Sequence, residues 1–460
     1  MDLIEGSEDA VMGEAVADQP RAIDIGQLID AQPWSRRQTQ AVLLTALAVI
    51  MDGLDNRLLP LAIPPLLKEW GVQRDAFALA TSVGLIGMAL GTTAGGMIGD
   101  RIGRRRTIIF SVLAFGLATF ANAFVNDINA MIAMRLLAGM GLGGLMPAAA
   151  AMFAEFAPTH RRALAVTLGM VCVPAGGALS GLLGAAVLPE PGWRALFLIG
   201  GGIAIAIGLV QLAWLPESPR FLARSPANRA RLTSLLADMG IELGEGDPVP
   251  GGAESGAARG SVAALFAPGR VRDTIGLWGA FFAILLCLYM ESQWMPTILT
   301  GAGYSIRVAS IASSCLSIGG MFACILGVGA VRWFGSRIGL MGMAAAGVVV
   351  TLGLTQYPID PGRSAVPLLV LLTLAGFLIG GLQIMIYAVA THAYPTALRA
   401  TGIGWAVGIG RLGSVVSPFL ATAALASAGW GGFFVWLAVG LAVTMASLGL
   451  IKNHVPAARR

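Results

Sequence analysis

Charge is scarce in this chain. Only 12% of the residues are Asp, Glu, Lys or Arg, whereas about 25% is usual in soluble domains. That scarcity excludes an ordinary soluble protein. The net charge is +5, but the basic residues lie in short turns between apolar runs. A nucleic-acid-binding protein gathers such residues on one face, so we expect no nucleic-acid partner.

Cysteine and histidine are also rare. The four cysteines all fall in apolar segments, and no Cys/His spacing typical of a metal site occurs. The three histidines lie in polar segments, which leaves carboxylates to carry protons inside the apolar runs. No nucleophile motif or phosphate loop is present, so the sequence predicts neither an enzyme nor a cofactor or metal site.

Long apolar runs fill most of the chain. Hydrophobic residues make up 56% and the mean hydropathy is +0.77, and a membrane span needs about 20 mainly apolar residues. This pattern predicts an all-α membrane protein with twelve transmembrane helices. The predicted spans, numbered in chain order, are 39–61, 77–98, 107–125, 128–152, 163–187, 195–215, 273–297, 308–331, 338–356, 365–390, 400–427 and 430–451. Residues 1–38 are polar and acidic and lack the pattern of a cleavable signal peptide. The expected organisation is an N-terminal segment 1–38, a six-helix bundle 39–215, a central loop 216–272 with a flexible linker at 244–260, a second six-helix bundle 273–451 and a tail 452–460.

The distribution of basic residues predicts the orientation. Of the 30 Lys and Arg residues, 22 fall in segments on one side of the predicted spans and five on the other. Because positive loops stay in the cytoplasm, we expect both termini there and the protein in a bacterial inner membrane. The remaining three, Arg57, Arg135 and Arg411, lie within spans.

A repeat relates the two halves. Gly99-Asp100-Arg101-Ile102-Gly103 is echoed by Gly335-Ser336-Arg337-Ile338-Gly339, and Asp55 is echoed by Glu291, each at an offset of 236 residues. A repeat held at one offset indicates two similar halves. In membrane transporters, two such halves enclose one path with its site near the bilayer midplane.

These features resemble the major facilitator superfamily. The Gly99–Arg106 turn resembles a signature of that superfamily, as do Arg135-x-x-x-Gly139 in span four and Pro216-Glu217-Ser218-Pro219-Arg220 after span six. A narrower resemblance, to the aromatic acid:proton symporters, rests on Asp52-Gly53-Leu54-Asp55, on Trp294-Met295-Pro296-Thr297, and on the block from Tyr394 to Gly413. It implies two pseudo-symmetric six-helix bundles, a proton-coupled carrier and an anion contact at Arg411.

Three carboxylates are the candidate proton carriers. A charged side chain at the bilayer centre costs at least about 2.5–3.5 kcal/mol, so a chain that keeps Asp52, Asp55 and Glu291 there needs a reason. Asp52 and Asp55 are three residues apart and share one helix face. The alternative for this pair is a structural role beside Gly53, and the alternative for Glu291 is a solvated position near the outer end.

Three arginines are the candidate anion ligands, because a guanidinium matches the fork of a carboxylate. Arg135 and Arg411 lie in different halves and so both can face a central cavity. Alternatives are a permanent salt bridge from Arg135 to Asp52 or Asp55, and snorkelling of Arg411. Arg57 departs from the family pattern: an ideal helix turns it about 200° from Asp55, where it either snorkels outward or binds a second carboxylate.

Aromatic and polar residues of the spans are candidates to hold a substrate ring and its hydroxyl groups, although each is also an ordinary packing residue. For Trp294 the alternative is a position at the membrane interface. The candidates are Tyr289, Trp294, Gln383, Tyr387, Trp405, Ser314, Ser317 and Ser414.

A charged cluster at the cytoplasmic turns is predicted to latch the halves together, Asp100 pairing with arginine and with the start of span eleven. Topology alone also explains arginines here. The cluster comprises Asp100, Arg101, Arg104, Arg105, Glu155, Arg161 and Arg162.

The sequence therefore predicts a monomeric inner-membrane carrier that imports an aromatic carboxylate, such as hydroxybenzoate, protocatechuate or vanillate, together with protons. The alternative within transport is a carrier for another organic anion, such as a sugar acid or a dicarboxylate. A drug/proton antiporter is disfavoured, because paired arginines repel the usual cationic drugs.

Overall fold

The computed structural model describes residues 25–242, 261–358 and 360–457, and this part of the chain is mostly helical and has no β-strand. The predicted architecture of two six-helix bundles is confirmed. The long helices are α1 (Arg36–Trp70), α2 (Arg74–Ile102), α3 (Arg104–Asn122), α4 (Ile128–Phe156), α5 (Arg162–Val187), α6 (Gly192–Trp214), α7 (Val271–Gly301), α8 (306–334), α9 (336–355), α10 (Val366–Ala393), α11 (396–427) and α12 (430–450).

Two of these helix pairs run on almost without a loop. The helical run Ile306–Thr355 is broken only at Gly335, whose φ of 74° separates α8 from α9. The run Thr396–Leu450 is broken at Ala428 and Gly429, the latter with a φ of 56°. Glycine tolerates this left-handed backbone because it has no Cβ. The glycine at each position therefore permits the break between the two helices.

Nine helical stretches of the described residues are long and apolar enough to cross a membrane, and one of them, Leu398–Leu450, contains both α11 and α12. The helices α1 and α3 are not among the nine. α1 holds Asp52, Asp55 and Arg57 in its middle, and α3 begins with three consecutive arginines. Because α1 packs on α5, α6 and α7, its charges face protein.

The buried apolar residues form two clusters. One contains residues of α1–α6 and the first part of the central loop, and the other contains residues of α7–α12 with Ala78 from α2. Three helix pairs join the bundles: α1 with α7, α2 with α11, and α5 with α8. The functional residues of α1, α7 and α11 therefore lie near the boundary between the bundles.

Glycines bring some of these helices into backbone contact. A Cβ on Gly139 or Gly143 of α4 would lie 3.0 Å or less from backbone atoms of Met88 in α2. Close approach of this kind is the usual role of small residues in membrane helices. It fixes the position of Met88 against α4.

Short elements form before α1, between α4 and α5, and in the central loop. These are Ile25–Asp30, the 3₁₀ turns Thr159–Arg161, Pro226–Asn228 and Val262–Phe266, and the helices Pro219–Ala223 and Arg229–Asp238. The predicted linker at 244–260, most of the predicted segment 1–38 and the last residues of the predicted tail lie outside the described residues.

Candidate functional site

A buried ion pair lies inside the first bundle. Asp55 of α1 is 2% exposed and Arg135 of α4 is 7% exposed, and 3.8 Å separates Arg135 Nη1 from Asp55 Oδ2. Thr119 of α3 donates a hydrogen bond to Asp55 Oδ1, and the Arg135 guanidinium lies 5.6 Å from the centroid of the Phe197 ring. The salt bridge expected as one interpretation of Arg135 is thus present, with Asp55 as its partner.

A second arginine lies at the boundary between the bundles without such a pair. Arg411 Nη1 of α11 lies 3.2 Å from Tyr289 Oη of α7 and 3.2 Å from Met88 Sδ of α2. Both of these partners are neutral. The buried carboxylate of Asp52 is within electrostatic reach of Arg411.

Two tyrosines lie close to Arg411. Tyr387 of α10 is within electrostatic reach of Arg411 and Tyr289, and its ring packs edge-on against Phe281 at 5.1 Å. Gln383 lies one helical turn before Tyr387, so the two side chains share a face of α10. The structure therefore brings together three of the predicted substrate residues, Tyr289, Tyr387 and Arg411, and Gln383 shares a helix face with Tyr387.

The structure excludes one of the two alternatives for Glu291 and one of the two for Arg57. Glu291 is buried, not solvated at the outer end, because α7 packs against α1 there. Arg57 does not snorkel: its Nη1 donates to the backbone oxygen of Ser292 at 3.0 Å, and its charge attracts Glu291. Beside this contact, Gln293 Nε2 donates to Asn56 Oδ1 at 3.2 Å, so two adjacent hydrogen bonds join the bundles.

A small cavity adjoins the Asp55–Arg135 pair. Its volume is about 40 Å³, and residues of both bundles line it, including Asp55, Asn56, Met88, Arg135 and Gln293. Because binding pockets for small molecules usually measure about 300–1,000 Å³, this cavity is too small for an aromatic acid. It has room for about three water molecules.

Several predicted substrate residues are placed elsewhere. Trp405 is 45% exposed and stacks on Trp278 with ring centroids 6.0 Å apart, so it covers the bundle surface instead of the central cluster. Trp294 is fully buried in the second core, which excludes the membrane-interface position. Ser317 and Ser414 donate to backbone oxygens of their own helices.

Ser314 has a different partner. It donates to the backbone oxygen of Ala178 at 2.7 Å, and a Cβ on Gly181 would lie 2.3 Å from its Oγ. The hydroxyl thus joins α8 to α5 at a point of close helix approach. Ser314 therefore joins the two bundles, and its hydroxyl hydrogen is donated to the protein backbone and not to a substrate.

Part of the predicted cytoplasmic cluster forms, and the central loop takes part in it. Arg104 Nη1 lies 2.8 Å from Asp100 Oδ1, and Arg104 Nε lies 3.6 Å from Glu155. Ser218 donates to Glu155, and the backbone N–H of Arg105 donates to Glu217 at 3.0 Å. These contacts join the loop after α6 to the turn between α2 and α3 and to the end of α4, and none of them reaches the second bundle. The latch between the two halves therefore stays a prediction.

The other arginines predicted for the cluster have different surroundings. Arg105 Nη2 also donates to the backbone oxygen of Leu212, and Arg162 Nε donates to that of Ala154. Arg101 and Arg161 are exposed. Burial raises the pKa of the Glu217 carboxyl above its ordinary value, opposed by the N–H groups of Arg105 and Ser218.

Three functional contacts were missed by the sequence reasoning: Thr119 with Asp55, Met88 with Arg411, and Glu217 with Arg105. Thr119 and Met88 are uncharged residues inside apolar runs and give no sequence signal. Glu217 belongs to the quoted Pro216–Arg220 motif, so its partner at the Gly103 turn was open to prediction.

Taken together, three buried carboxylates and three arginines meet in and between two helical bundles that are joined along three helix pairs. Two helical bundles with buried charged residues between them are typical of a membrane transporter. The sequence profile of the Major Facilitator Superfamily matches residues 45–418, and the chain belongs to this family. It is a transport protein and not an enzyme.

Similar proteins agree with this assignment. The chain is 32% identical to the gallate transporter of Pseudomonas putida over 94% of this chain and 95% of that protein. It is 31% identical to the 4-hydroxybenzoate transporter PcaK of the same organism, over 96% and 98%. A crystal structure of a D-xylose-proton symporter superposes with a TM-score of 0.65 at 18% identity, covering 92% of this chain and 98% of that one. At that identity it supports the fold alone.

Proposed function

We propose that this protein imports an aromatic carboxylate together with protons across the bacterial inner membrane by alternating access. The observation that carries the proposal is Arg411: a cation at the bundle boundary whose hydrogen-bond partners, Tyr289 and Met88, are both neutral. A substrate carboxylate can exchange for these weak partners and gain charge-assisted hydrogen bonds.

The relatives favour an aromatic acid over the alternative anion. Two of them are named for gallate and for 4-hydroxybenzoate, and each of those acids has one carboxylate and a hydroxylated ring. The proposed binding mode places the carboxylate on Arg411, the ring between Tyr289 and Tyr387, and a ring hydroxyl on Gln383. Sugar acids offer no ring face to the tyrosines.

The proton step uses the carboxylates of α1. In the proposed cycle a proton binds Asp52 or Asp55 and neutralises it, which loosens the pull on Arg411 or Arg135. Arg411 then receives the substrate carboxylate, so proton and anion load together with little change in net charge. Release of the proton restores the attraction between arginine and aspartate and expels the anion. Glu291, whose charge attracts that of Arg57, is a second proposed proton site.

Rocking of the bundles provides access to each side in turn. The bonds Arg57–Ser292, Asn56–Gln293 and Ser314–Ala178 join the bundles in the predicted outer half of α1, α5 and α7. They must break when the carrier turns outward. The cluster around Asp100, Arg104 and Glu155 is proposed to act at the opposite, cytoplasmic end.

The proposed placement puts both termini and the central loop 216–272 in the cytoplasm and has the protein act as a monomer. The halves 39–215 and 273–451 would be the two rocking units. An orientation test is accessible: a cysteine introduced at exposed Arg161 should react with an impermeant thiol reagent only in inside-out vesicles.

A substrate panel tests the function. Purified protein in liposomes should take up radiolabelled 4-hydroxybenzoate, and unlabelled hydroxybenzoate, protocatechuate or vanillate should compete. The uncharged amide of 4-hydroxybenzoate and the sugar acid gluconate should compete poorly. Competition by gluconate equal to that of the aromatic acids would replace the aromatic class with the broader organic-anion class.

A further inference from the structure

The small cavity beside Asp55 has the properties of a built water site. Three of its lining residues have side-chain atoms that lack a hydrogen-bond partner among the described residues: Asp55 Oδ2, Arg135 Nε and Nη2, and Gln293 Oε1. All three residues are at least nine-tenths buried. Buried polar atoms are nearly always satisfied, by ordered water where protein groups are absent.

The geometry of the ion pair also calls for water. The 3.8 Å between Arg135 Nη1 and Asp55 Oδ2 exceeds the 2.7–2.9 Å of a direct charge-assisted hydrogen bond. A water molecule can bridge two polar groups at little free-energy cost. The cavity, at about 40 Å³, has room for such a bridge and for further molecules that reach Gln293 of the opposite bundle.

Met88 separates this cavity from the proposed substrate cluster. It lines the cavity with Asp55 and Arg135, and its sulfur contacts Arg411 at 3.2 Å and Tyr289 at 4.0 Å. Its backbone is fixed against Gly139 and Gly143. The thioether is therefore held between the water site and the cation that would bind the substrate.

We propose that the cavity holds ordered water through which Asp55 exchanges its proton, and that Met88 is the partition between this water and the Arg411–Tyr289 cluster. The inference rests on the proposed function. In the exchange step the O–H bond of protonated Asp55 breaks, the proton passes to an adjacent water as hydronium, and the carboxylate left behind faces Arg135.

The partition explains how the substrate controls the proton. A carboxylate arriving at Arg411 competes with Met88 Sδ for the guanidinium N–H, since a charged oxygen is a far better acceptor than a thioether. The unbranched methionine side chain is then free to change rotamer. That motion connects the water site with the central space only when the substrate is bound, so protons do not pass alone.

Proton leakage in liposomes tests the partition. Wild-type protein and Met88→Ala are reconstituted with a pH-sensitive dye inside, and proton entry is recorded after an acid jump without any substrate. Met88→Ala should raise the substrate-independent proton flux several-fold over wild type. Met88→Leu, which keeps the volume and loses the sulfur, should stay close to wild type. Met97→Ala is the matched control, because Met97 lies on the same helix and is 60% exposed.

Three further measurements make the result decisive. Exchange of 4-hydroxybenzoate at equal pH on both sides shows that each variant is folded. If Met88→Ala loses this exchange, Met88→Val, which removes less volume, is tested in its place. Adding Asp55→Asn to Met88→Ala should abolish the proton leak, which assigns the leak to Asp55.

A substrate-independent proton flux equal to that of wild type in Met88→Ala or Met88→Val, with normal exchange, overturns the inference. No exchange of any aromatic acid by wild type overturns the proposed function instead, and the leak, which needs no substrate, still reports on the partition.

Discussion

Two buried arginines divide the molecule into regions of different character. Arg135 in the first bundle faces the carboxylate of Asp55, and Thr119 and Phe197 complete its surroundings. Arg411 in the second bundle contacts the phenol of Tyr289 and the sulfur of Met88. The Arg135 guanidinium thus lies beside a carboxylate of the protein. The Arg411 guanidinium contacts only neutral groups, and Asp52 is more distant from it.

The difference assigns separate tasks to the two regions. Removing one partner of a buried charge pair leaves an uncompensated charge, which costs several kcal/mol. Arg135 therefore stays beside Asp55 as long as Asp55 is ionised. Arg411 gains by meeting an external anion. In the proposed mechanism the first bundle provides the proton-responsive pair and the second bundle the anion receptor, and the contacts of Tyr289 and Met88 with Arg411 connect the two.

The largest effect is expected from Arg411→Ala. Hydrogen bonds to charged groups contribute about 1.5–3 kcal/mol, so the affinity for 4-hydroxybenzoate should fall by about ten- to a hundred-fold. The uncharged amide should bind almost as before. Calorimetric titration of the detergent-solubilised protein measures both, and Arg399→Ala, an exposed arginine on the same helix, is the control. Equal losses for acid and amide would assign Arg411 a purely structural role.

Asp55→Asn should separate transport from its energy source. With no titratable group at this position, exchange of labelled for unlabelled acid should persist, while accumulation driven by an inward proton gradient should fall to equilibration. Uptake at equal and at unequal pH gives the two quantities. Asp75→Asn, an exposed carboxylate at the start of α2, should leave both unchanged. Accumulation against a gradient by the Asp55 variant would remove this residue from the coupling step.

A smaller effect is expected from Thr119→Val, which keeps the shape of the side chain and removes its hydrogen bond to Asp55. Gradient-driven uptake should slow several-fold, and exchange at equal pH should change little, because the anion receptor lies in the other bundle. Thr93→Val supplies a control, since the Thr93 hydroxyl bonds only to its own helix. A loss confined to exchange would reverse the assignment of tasks.

The smallest effect on a monocarboxylate is expected from Arg57→Gln. Glutamine can still donate to the Ser292 backbone oxygen, so affinity for 4-hydroxybenzoate should stay within about twofold, a few tenths of a kcal/mol. An aromatic dicarboxylate should lose more if Arg57 receives its second carboxylate. Competition assays with 4-hydroxybenzoate and terephthalate compare the two acids. If the substitution changes the affinity for both acids equally, Arg57 only joins the two bundles and does not bind a second carboxylate.

Much of this architecture was predictable from the sequence, for physical reasons. The apolar runs predicted the helices to within a few residues at most ends, and the charge cost in a bilayer singled out Asp52, Asp55, Arg135 and Arg411. α1 runs on past its predicted end at residue 61, through Pro60, Pro64 and Pro65, to Trp70, because neighbouring helices support a backbone that proline would break in isolation.

The remaining features depend on contacts between helices, which periodicity does not contain. An ideal helix places Arg57 away from Asp55, but whether that face meets lipid or α7 follows from bundle packing. Trp405 was a reasonable stacking residue by composition, yet the rotation of α11 turns it to the surface beside Trp278. Met88 and Thr119 acquire their roles only from neighbours far away in the chain.

The most direct test of the central claim follows proton and acid movement in the same liposomes. With no initial pH gradient, 4-hydroxybenzoate is added outside, and label uptake and internal pH are recorded together, with protein-free liposomes correcting for passive entry of the acid. The account predicts that protein-dependent label entry is accompanied by protein-dependent internal acidification, and that Asp55→Asn loses the acidification. Protein-dependent entry of the acid with no accompanying proton would contradict it.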